Sequence, residues 1–278
     1  MTSRASAWVA FRRVRIALLA AVLVVVLLWA WNDRRRRHER TQWRRPVQVA
    51  LVLLRDGAVD PAALGALRQR IPALEARLAE EMARHRGSAS RRPFSFTVYG
   101  PVDAAAAPPR PTADDLRGLA THAWETWRYF RGVDRRAGVE WRAADSRIYL
   151  TVRPPQHAAR AAVEGQSEQG GRVGSVEVEL DATMVDLALF VATHELLHTL
   201  GATDKYDPRG MALLPDGLAD PTLSPLYPQV AAEIMARNVV VAPHRERAPE
   251  TLDELAVGPV TAREIGWTPP APRADAPR

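Results

Sequence analysis

The segment that most constrains the fold is 184–200, which is apolar on nearly every side of a helix yet carries His194, Glu195 and His198 in its second half. Its apolar members are Val185, Leu187, Leu189, Phe190, Val191, Leu196, Leu197 and Leu200. A helix that is hydrophobic all round belongs in a protein core. Burying His194, Glu195 and His198 there costs free energy unless each one finds a partner or a ligand. The sequence therefore predicts a buried helix built around a polar site.

The three ionisable residues open the motif HExxHxxGxxD, which runs from His194 to Asp204. Two histidines four residues apart project from one face of a helix, an arrangement that suits two imidazoles binding one zinc ion. Glu195 lies beside the first histidine, where it can take a proton from a water on the metal. The alternative is two histidines that are satisfied inside an ordinary core helix.

A catalytic zinc ion takes a third protein ligand and keeps a fourth position open for water. Gly201 is placed to end the helix at the C′ position, where a left-handed conformation turns the chain sharply. Asp204 follows His198 by six residues, so the chain can return a carboxylate oxygen to the metal. Glu233 and His244 are the alternative third ligands.

The N-terminus carries an unbroken apolar run from Ile16 to Trp31, with arginines at 12–13 and 34–37 on either side. The run is slightly shorter than the roughly 20 residues of a full membrane span. Trp29 and Trp31 occupy the place of an interfacial aromatic belt. A buried core helix would not be bracketed by arginines, and a signal peptide would end in small residues. We therefore predict an uncleaved transmembrane anchor over 16–33.

The net charge of +6 is concentrated at the N-terminus, because residues 1–45 carry eleven arginines and two acidic residues. The remainder of the chain has 27 basic and 30 acidic residues, which argues against nucleic-acid binding. The absence of cysteine excludes disulfides and thiolate ligands. We expect a basic tail over 1–15 and a polybasic linker over 34–45 that either contacts anionic lipid or is a solvated flank. The side of the membrane and the oligomeric state stay open.

Alternation of strand and helix patterns fills the segment after the anchor. Short apolar or alternating runs predict strands at 47–54, 94–99, 147–152 and 173–180. Helical spacing predicts helices at 61–86, 114–131 and 184–200.

Particular residues refine these elements. Pro72 is expected to kink or split the first helix. The second helix carries Trp124, Trp127 and Phe130, which we expect in the core. Thr183 is the expected N-cap of the third helix, with Asp186 completing a capping box.

The remaining segments are predicted to be irregular. Residues 158–171 are polar and flexible in composition, and proline-rich loops follow the histidine helix. A short helix is expected at 229–237, with one or two more within 249–265. The tail, 268–278, is expected to be disordered.

The motif resembles that of the zinc-dependent metallopeptidases, in particular the metzincin-like branch with H-E-x-x-H-x-x-G-x-x-H. Asp204 stands where most members have a third histidine, as in the snapalysin-like minority. The resemblance implies an α+β zincin-like domain over 46–267, with a mixed twisted sheet, a buried active-site helix and a loop-rich C-terminal subdomain. It also implies that the strand 173–180 forms an edge of the cleft and pairs with an extended peptide substrate.

The resemblance assigns roles to residues beyond the motif. Met235 would form an apolar floor beneath the metal, although a core methionine is the plain alternative. Some relatives have a tyrosine two residues after this methionine, where this chain has Arg237. Tyr206 and Tyr227 are possible substitutes, each with a structural alternative.

Asp207 either orients a metal ligand or begins the Asp207-Pro208 turn. Taken together, the sequence predicts a zinc metalloendopeptidase with peptide or protein substrates, held as a single-pass protein in a bacterial cell membrane. The alternatives are a zincin-fold binding or scaffold protein and a zinc hydrolase of a non-peptide amide.

Overall fold

The computed structural model describes residues 3–87, 92–104, 108–109, 115–140, 142–155, 163–167 and 170–268. The chain forms two compact units, residues 1–42 and 43–278, which are described separately. Residues 269–278 of the tail that was expected to be disordered lie outside the described residues, as does part of the polar segment 158–171.

The first unit is one long helix, α1, over Ser3–Thr41. Its part from Arg15 to Thr41 contains an 18-residue window with mean hydropathy 2.2, none of it buried within the protein. This helix is long and apolar enough to cross a membrane, a property that a signal sequence shares. The predicted division into tail, anchor and linker stays a prediction.

The second unit is built on a five-stranded sheet with the strand order β2-β1-β3-β5-β4. The strands are β1 (Val47–Arg55), β2 (Phe94–Asp103), β3 (Ser146–Arg153), β4 (Val163–Ser167) and β5 (Val173–Glu179). Strands β2, β1, β3 and β5 run parallel to one another, and β4 pairs antiparallel with β5. The four strands that the sequence predicts are confirmed, with β2 extending past its predicted end.

Helices cover both faces of the sheet, which explains why β1 is a continuous apolar run. Helix α2 (Pro61–Arg86) and helix α4 (Val185–Thr199) pack with Val49, Leu51 and Leu53 on one face. Helix α3 (Leu116–Ala137) covers the other face, where Phe130 and Val133 pack with alternate residues of β1. The crossover through α2 and the crossover through α3 run in opposite directions along the sheet. Because each is expected to be right-handed, they place their helices on opposite faces.

Strand β4 corrects two predictions. The polar segment 158–171 contains this strand, which the sequence reasoning missed because its residues lack the usual apolar alternation. Strand β5 is therefore paired on both sides, from Val173 to Glu179 with β3 and from Gly174 to Val178 with β4. The prediction that 173–180 is a free edge is wrong, and the outer strand is β4.

Helices α2 and α3 differ from the sequence predictions in detail. Pro72 lies inside α2, and the helix continues through it without a break. Trp124 and Trp127 on α3 are exposed, so their predicted place in the core is wrong, whereas Phe130 is buried.

The start of α4 also differs from its prediction. Asp181, and not Thr183, organises the entry, since its Oδ1 accepts from the backbone N–H of Thr183 at 2.7 Å and of Met184 at 3.1 Å. Asp186 does not form a capping box. Its carboxylate accepts from the guanidinium of Arg70 on α2 at 2.7 and 2.9 Å, and this ion pair lowers its pKa.

The segment after α4 is loop-rich, as predicted. It holds β6 (Ala232–Glu233), the hairpin β7 (Val239–Ala242) and β8 (Arg245–Arg247), a 3₁₀ turn at Leu252–Glu254, β9 (Leu255–Ala256) and α5 (Pro259–Glu264). The helices expected within 249–265 are confirmed as the 3₁₀ turn and α5. The helix expected at 229–237 is wrong, because this stretch forms β6 and a turn over 234–236.

Candidate metal centre

Helix α4 brings the two histidines and the glutamate of the motif together in the interior. His194, Glu195 and His198 each place one ligand-capable atom within 4.8 Å of the others. The Nε2 atoms of His194 and His198 are 3.1 Å apart, as expected for residues four apart on one helix face. His194 and Glu195 are buried, and His198 is half-buried.

Backbone carbonyls fix the protonation of both imidazoles. Nδ1 of His194 donates to the carbonyl oxygen of Ile234 at 2.9 Å, and Nδ1 of His198 donates to that of Ala202 at 2.9 Å. A carbonyl oxygen can only accept, so both Nδ1 atoms carry the proton. Each neutral ring then presents an Nε2 lone pair, which is the arrangement that metal-binding histidines use.

Asp204 completes a triangle with the two histidines. Its Oδ1 lies 3.2 Å from Nε2 of His194 and 3.2 Å from Nε2 of His198. Donors bound tetrahedrally to one zinc ion at about 2.0–2.1 Å would be about 3.3–3.4 Å apart. The triangle therefore has the size of one zinc coordination shell.

The end of α4 delivers Asp204 to this position. Gly201 adopts φ +106°, donates to the carbonyl of His198 at 2.9 Å and is followed by Ala202, which donates to that of Leu197 at 3.1 Å. These two bonds form a Schellman motif with Gly201 at C′, as the sequence predicts. The same turn points the carbonyl of Ala202 at His198, so one local structure ends the helix and orients a histidine.

Residues on both sides of Asp204 are held by Glu264 of α5. The Glu264 carboxylate accepts from the backbone N–H of Thr203 at 3.0 Å and from its hydroxyl at 2.7 Å. Nζ of Lys205 donates to both Glu264 oxygens at 2.9 and 2.8 Å, and Lys205 is buried. Burial alone would raise the pKa of Glu264, but Lys205 and Thr203 lower it below its ordinary value. These contacts of Glu264 with Thr203 and Lys205, the Glu264 clamp, fix the backbone from which Asp204 projects.

The charges of the site favour a bound cation. Two Nε2 lone pairs and a carboxylate oxygen converge without a donor between them, an arrangement that repels itself unless a proton or a metal lies at its centre. Burial opposes charge on Asp204, yet the two imidazoles hold its pKa well below the ordinary value. Burial likewise lowers the pKa of His198, but Asp204, the Ala202 carbonyl and the charge of Glu195 together outweigh it and the pKa is raised. The donor set fits zinc, which binds imidazole and carboxylate ligands.

Glu195 stands apart from the triangle. Its Oε1 is 4.0 Å from Nε2 of His194, and its buried Oε2 makes no hydrogen bond with the described residues. An unpartnered buried carboxylate oxygen is costly, so its place beside the triangle indicates a partner that the protein itself does not supply. A water on a bound metal ion would be such a partner.

A turn beneath the site depends on Glu233. This fully buried carboxylate accepts from the backbone N–H of Met235 at 2.6 Å and of Ala236 at 2.9 Å with one oxygen. Its other oxygen accepts from Gly258 and Thr261. Burial raises the pKa of Glu233. Because both oxygens are engaged away from the triangle, Glu233 serves the turn that presents the Ile234 carbonyl to His194.

The structure separates the remaining candidates. Met235 is fully buried, next to the residue that orients His194. His244 is exposed at the turn of the β7–β8 hairpin. The Asp207 carboxylate accepts from the backbone N–H of Arg209 at 2.8 Å and of Met211 at 3.0 Å, so it begins the turn and does not orient a ligand.

A cleft of about 560 Å³ opens beside the triangle. Its wall from α4 is mainly apolar, and His194 and Glu195 line it. The opposite side comes from Tyr206 and from two later segments. The lining residues are Met184, Leu187, Phe190, Val191, His194, Glu195, Tyr206, Arg237, Asn238, Glu246, Arg247, Ala248 and Pro249. Apart from Tyr206, none of them comes from the loop 201–228, and Tyr227 is not among them.

Tyr206 and Arg237 form a pair in this cleft. The Tyr206 ring lies 6.3 Å from that of His194, and the guanidinium of Arg237 lies 4.8 Å from the tyrosine ring centre. Arg237 has φ +75°, a conformation that costs free energy for a residue with a side chain. Burial raises the pKa of Tyr206, so its hydroxyl stays protonated and can donate.

Sequence reasoning missed two kinds of contributor. The β7–β8 hairpin brings Asn238 and residues 246–249 to the cleft. No local sequence pattern predicts this hairpin. Gly174 lies against α4, where an added Cβ would come within 3.2 Å of Cβ of Glu195. A lone glycine inside a strand is the signal for such a close approach, and it marks this position.

No protein-family model matches the chain, and no curated protein matches its sequence.

Proposed function

We propose that the chain is a zinc-dependent metalloendopeptidase of the metzincin-like kind, anchored in a membrane by α1. The observation that carries the proposal is the convergence of two Nε2 lone pairs and the Asp204 carboxylate at 3.1–3.2 Å, with an unpartnered Glu195 beside them. If the two histidines were only hydrogen-bonded residues of an ordinary core helix, three hydrogen-bond acceptors would not have to converge on one point.

The residues suggest separate roles in metal binding, proton transfer and substrate binding. His194, His198 and Asp204 would hold the zinc ion, which when bound supplies a Lewis acid and lowers the pKa of its water to about 7. Glu195 has one carboxylate oxygen free to take the proton from that water and to pass it to the leaving amine. Tyr206 and Arg237 face the same cleft as Glu195, where their donors can bind the carbonyl oxygens of a peptide.

The fold supports a peptide as substrate. Strand β4 has β5 as its strand partner on one side and no strand on the other within the described part of the chain. An extended peptide could add to this outer edge through main-chain hydrogen bonds. None of the residues that line the cleft belongs to 207–228, which favours an accessible site over a scaffold blocked by this segment.

Hydrolysis of a mixed peptide library by the full chain in detergent, loaded with zinc, tests the proposal. Glu195→Gln should retain zinc and lose about 10²–10⁴-fold of the activity, because it removes the general base. Glu80→Gln on the exposed side of α2 is the matched control and should be as active as the native chain. Full activity of Glu195→Gln would contradict the proposal. So would a zinc-loaded native chain that cleaves no peptide, an outcome that favours the scaffold or a non-peptide amide as substrate.

A further inference from the structure

Helix α3 exposes a pair of tryptophans that the core does not use. Trp124 and Trp127 are 60% and 55% exposed. Their rings stack on each other with centroids 5.0 Å apart and an interplanar angle of 24°. Exposed large apolar groups that cluster in this way mark interaction surfaces more often than isolated ones do.

The rest of α3 holds this aromatic pair in place. Phe130 and Val133, in the second half of the helix, are buried against β1 and β3, and the Phe130 ring lies 4.2 Å from that of Tyr149. The first half of the helix extends from this anchor with its residues largely exposed. The tryptophans are therefore presented by a helix whose other end is fixed to the sheet.

Positive charge borders the aromatic pair. Helix α3 carries five arginines and two acidic residues, and one of the acids, Asp134, is buried and bonded to Arg147 at 2.7 Å. Arg117 lies seven residues before Trp124 and Arg128 lies four after it, spacings that share one face of a helix. Neither arginine forms an ion pair within the described ranges.

We propose that the exposed face of α3, defined by Trp124, Trp127, Arg117 and Arg128, binds the surface of an anionic lipid bilayer. Tryptophan prefers the level of the lipid headgroups, and arginine is attracted to anionic headgroups. An amphipathic helix with aromatic residues beside a cationic flank lies in the plane of such a surface. The same chain carries α1, which is long and apolar enough to reach a membrane. This inference does not depend on the proposed peptidase activity.

The absence of cysteine allows a direct test with one spin label at a time. A label at Ala123→Cys, on the exposed side of α3, reports on this face. Val230→Cys, which is 80% exposed in the C-terminal segment, is the matched control. The full chain is reconstituted into vesicles of phosphatidylcholine alone or with about a quarter phosphatidylglycerol. Because the arginines of 34–45 are present in both and also respond to anionic lipid, the contribution of α3 is isolated by comparing the chain with its Arg117→Gln and Arg128→Gln variant in the same vesicles.

Power-saturation spectroscopy then compares access of oxygen and of a water-soluble nickel chelate to each label. In anionic vesicles the label at 123 should gain oxygen access and lose nickel access at least twofold relative to neutral vesicles. The label at 230 should not change. Adding Arg117→Gln and Arg128→Gln should abolish the difference at 123, while the circular-dichroism melting curve stays that of the native chain.

Two results would overturn the proposal. One is a label at 123 that remains equally open to nickel in both vesicle compositions. The other is protection at 123 in detergent without anionic lipid that rises with protein concentration, which would assign the face to a second copy of the chain.

Discussion

Helices α4 and α3 lie on opposite faces of one sheet. They depart in opposite ways from the usual pattern, in which apolar residues are buried and ionisable residues are exposed. Helix α4 buries two ionisable groups, His194 and Glu195, whereas α3 exposes Trp124 and Trp127. Charged groups are rarely buried without partners, and clusters of large aromatics are rarely exposed. The buried ionisable groups and the exposed tryptophans each cost free energy, so folding alone does not explain them. The comparison supports the two proposals, a metal site on the α4 face and a lipid-binding surface on the α3 face.

The largest predicted effect is on the free energy of unfolding and comes from the contrast between a buried and an exposed aromatic residue of α3. Phe130→Ala should reduce the free energy of unfolding by about 3–5 kcal/mol, since it removes a buried ring from the sheet face. Trp127→Ala, three residues earlier and exposed, should change it by less than about 0.5 kcal/mol. Denaturant titration of both variants measures this. A comparable loss at Trp127 would mean that the tryptophan is a core residue after all.

Asp204 and Asp207 lie in the same loop, so replacing each in turn tests the role of Asp204. Asp204→Ala should weaken zinc binding by more than about 100-fold, because removing a direct ligand should cost more than removing a supporting hydrogen bond. Asp207→Ala should leave the affinity within a few fold, since its carboxylate bonds only to its own turn. Competition with a chromophoric chelator gives both values. Equal affinities for the two variants would remove Asp204 from the site.

The clamp on Asp204 gives a smaller effect. Glu264→Gln should weaken zinc binding by about 10–100-fold, because it loosens the backbone at Thr203 and Lys205 without touching the metal. Spectra of the cobalt-substituted protein should show the same ligand set at saturation. A change in those spectra would show that Glu264 alters the ligand set and does not only position Asp204.

Much of the site could be predicted because its signals are local. The spacing of His194 and His198, the apolar surroundings of α4 and the helix-ending Gly201 all lie within one segment, and the Schellman motif follows from them. Strands β1, β2, β3 and β5 were likewise predictable from short apolar runs.

What escaped prediction depends on contacts between distant segments. The Ile234 carbonyl that orients His194 lies 40 residues away along the chain, and Glu264 reaches Thr203 across 61. Strand β4 has no apolar alternation and is defined by its pairing with β5. Phe130 and Val133 in the second half of α3 pack on the sheet while Trp127 stays exposed, a division that periodicity alone does not determine.

The zinc site that we propose on α4 and the loop after it should be visible in the metal content of the chain. Metal analysis of the purified full chain, beside His194→Ala and His244→Asn, tests it most directly. The account predicts one zinc per native chain, one per His244→Asn chain and essentially none in His194→Ala. A native chain that binds no zinc after loading, or a His194→Ala chain that still holds one, would contradict it.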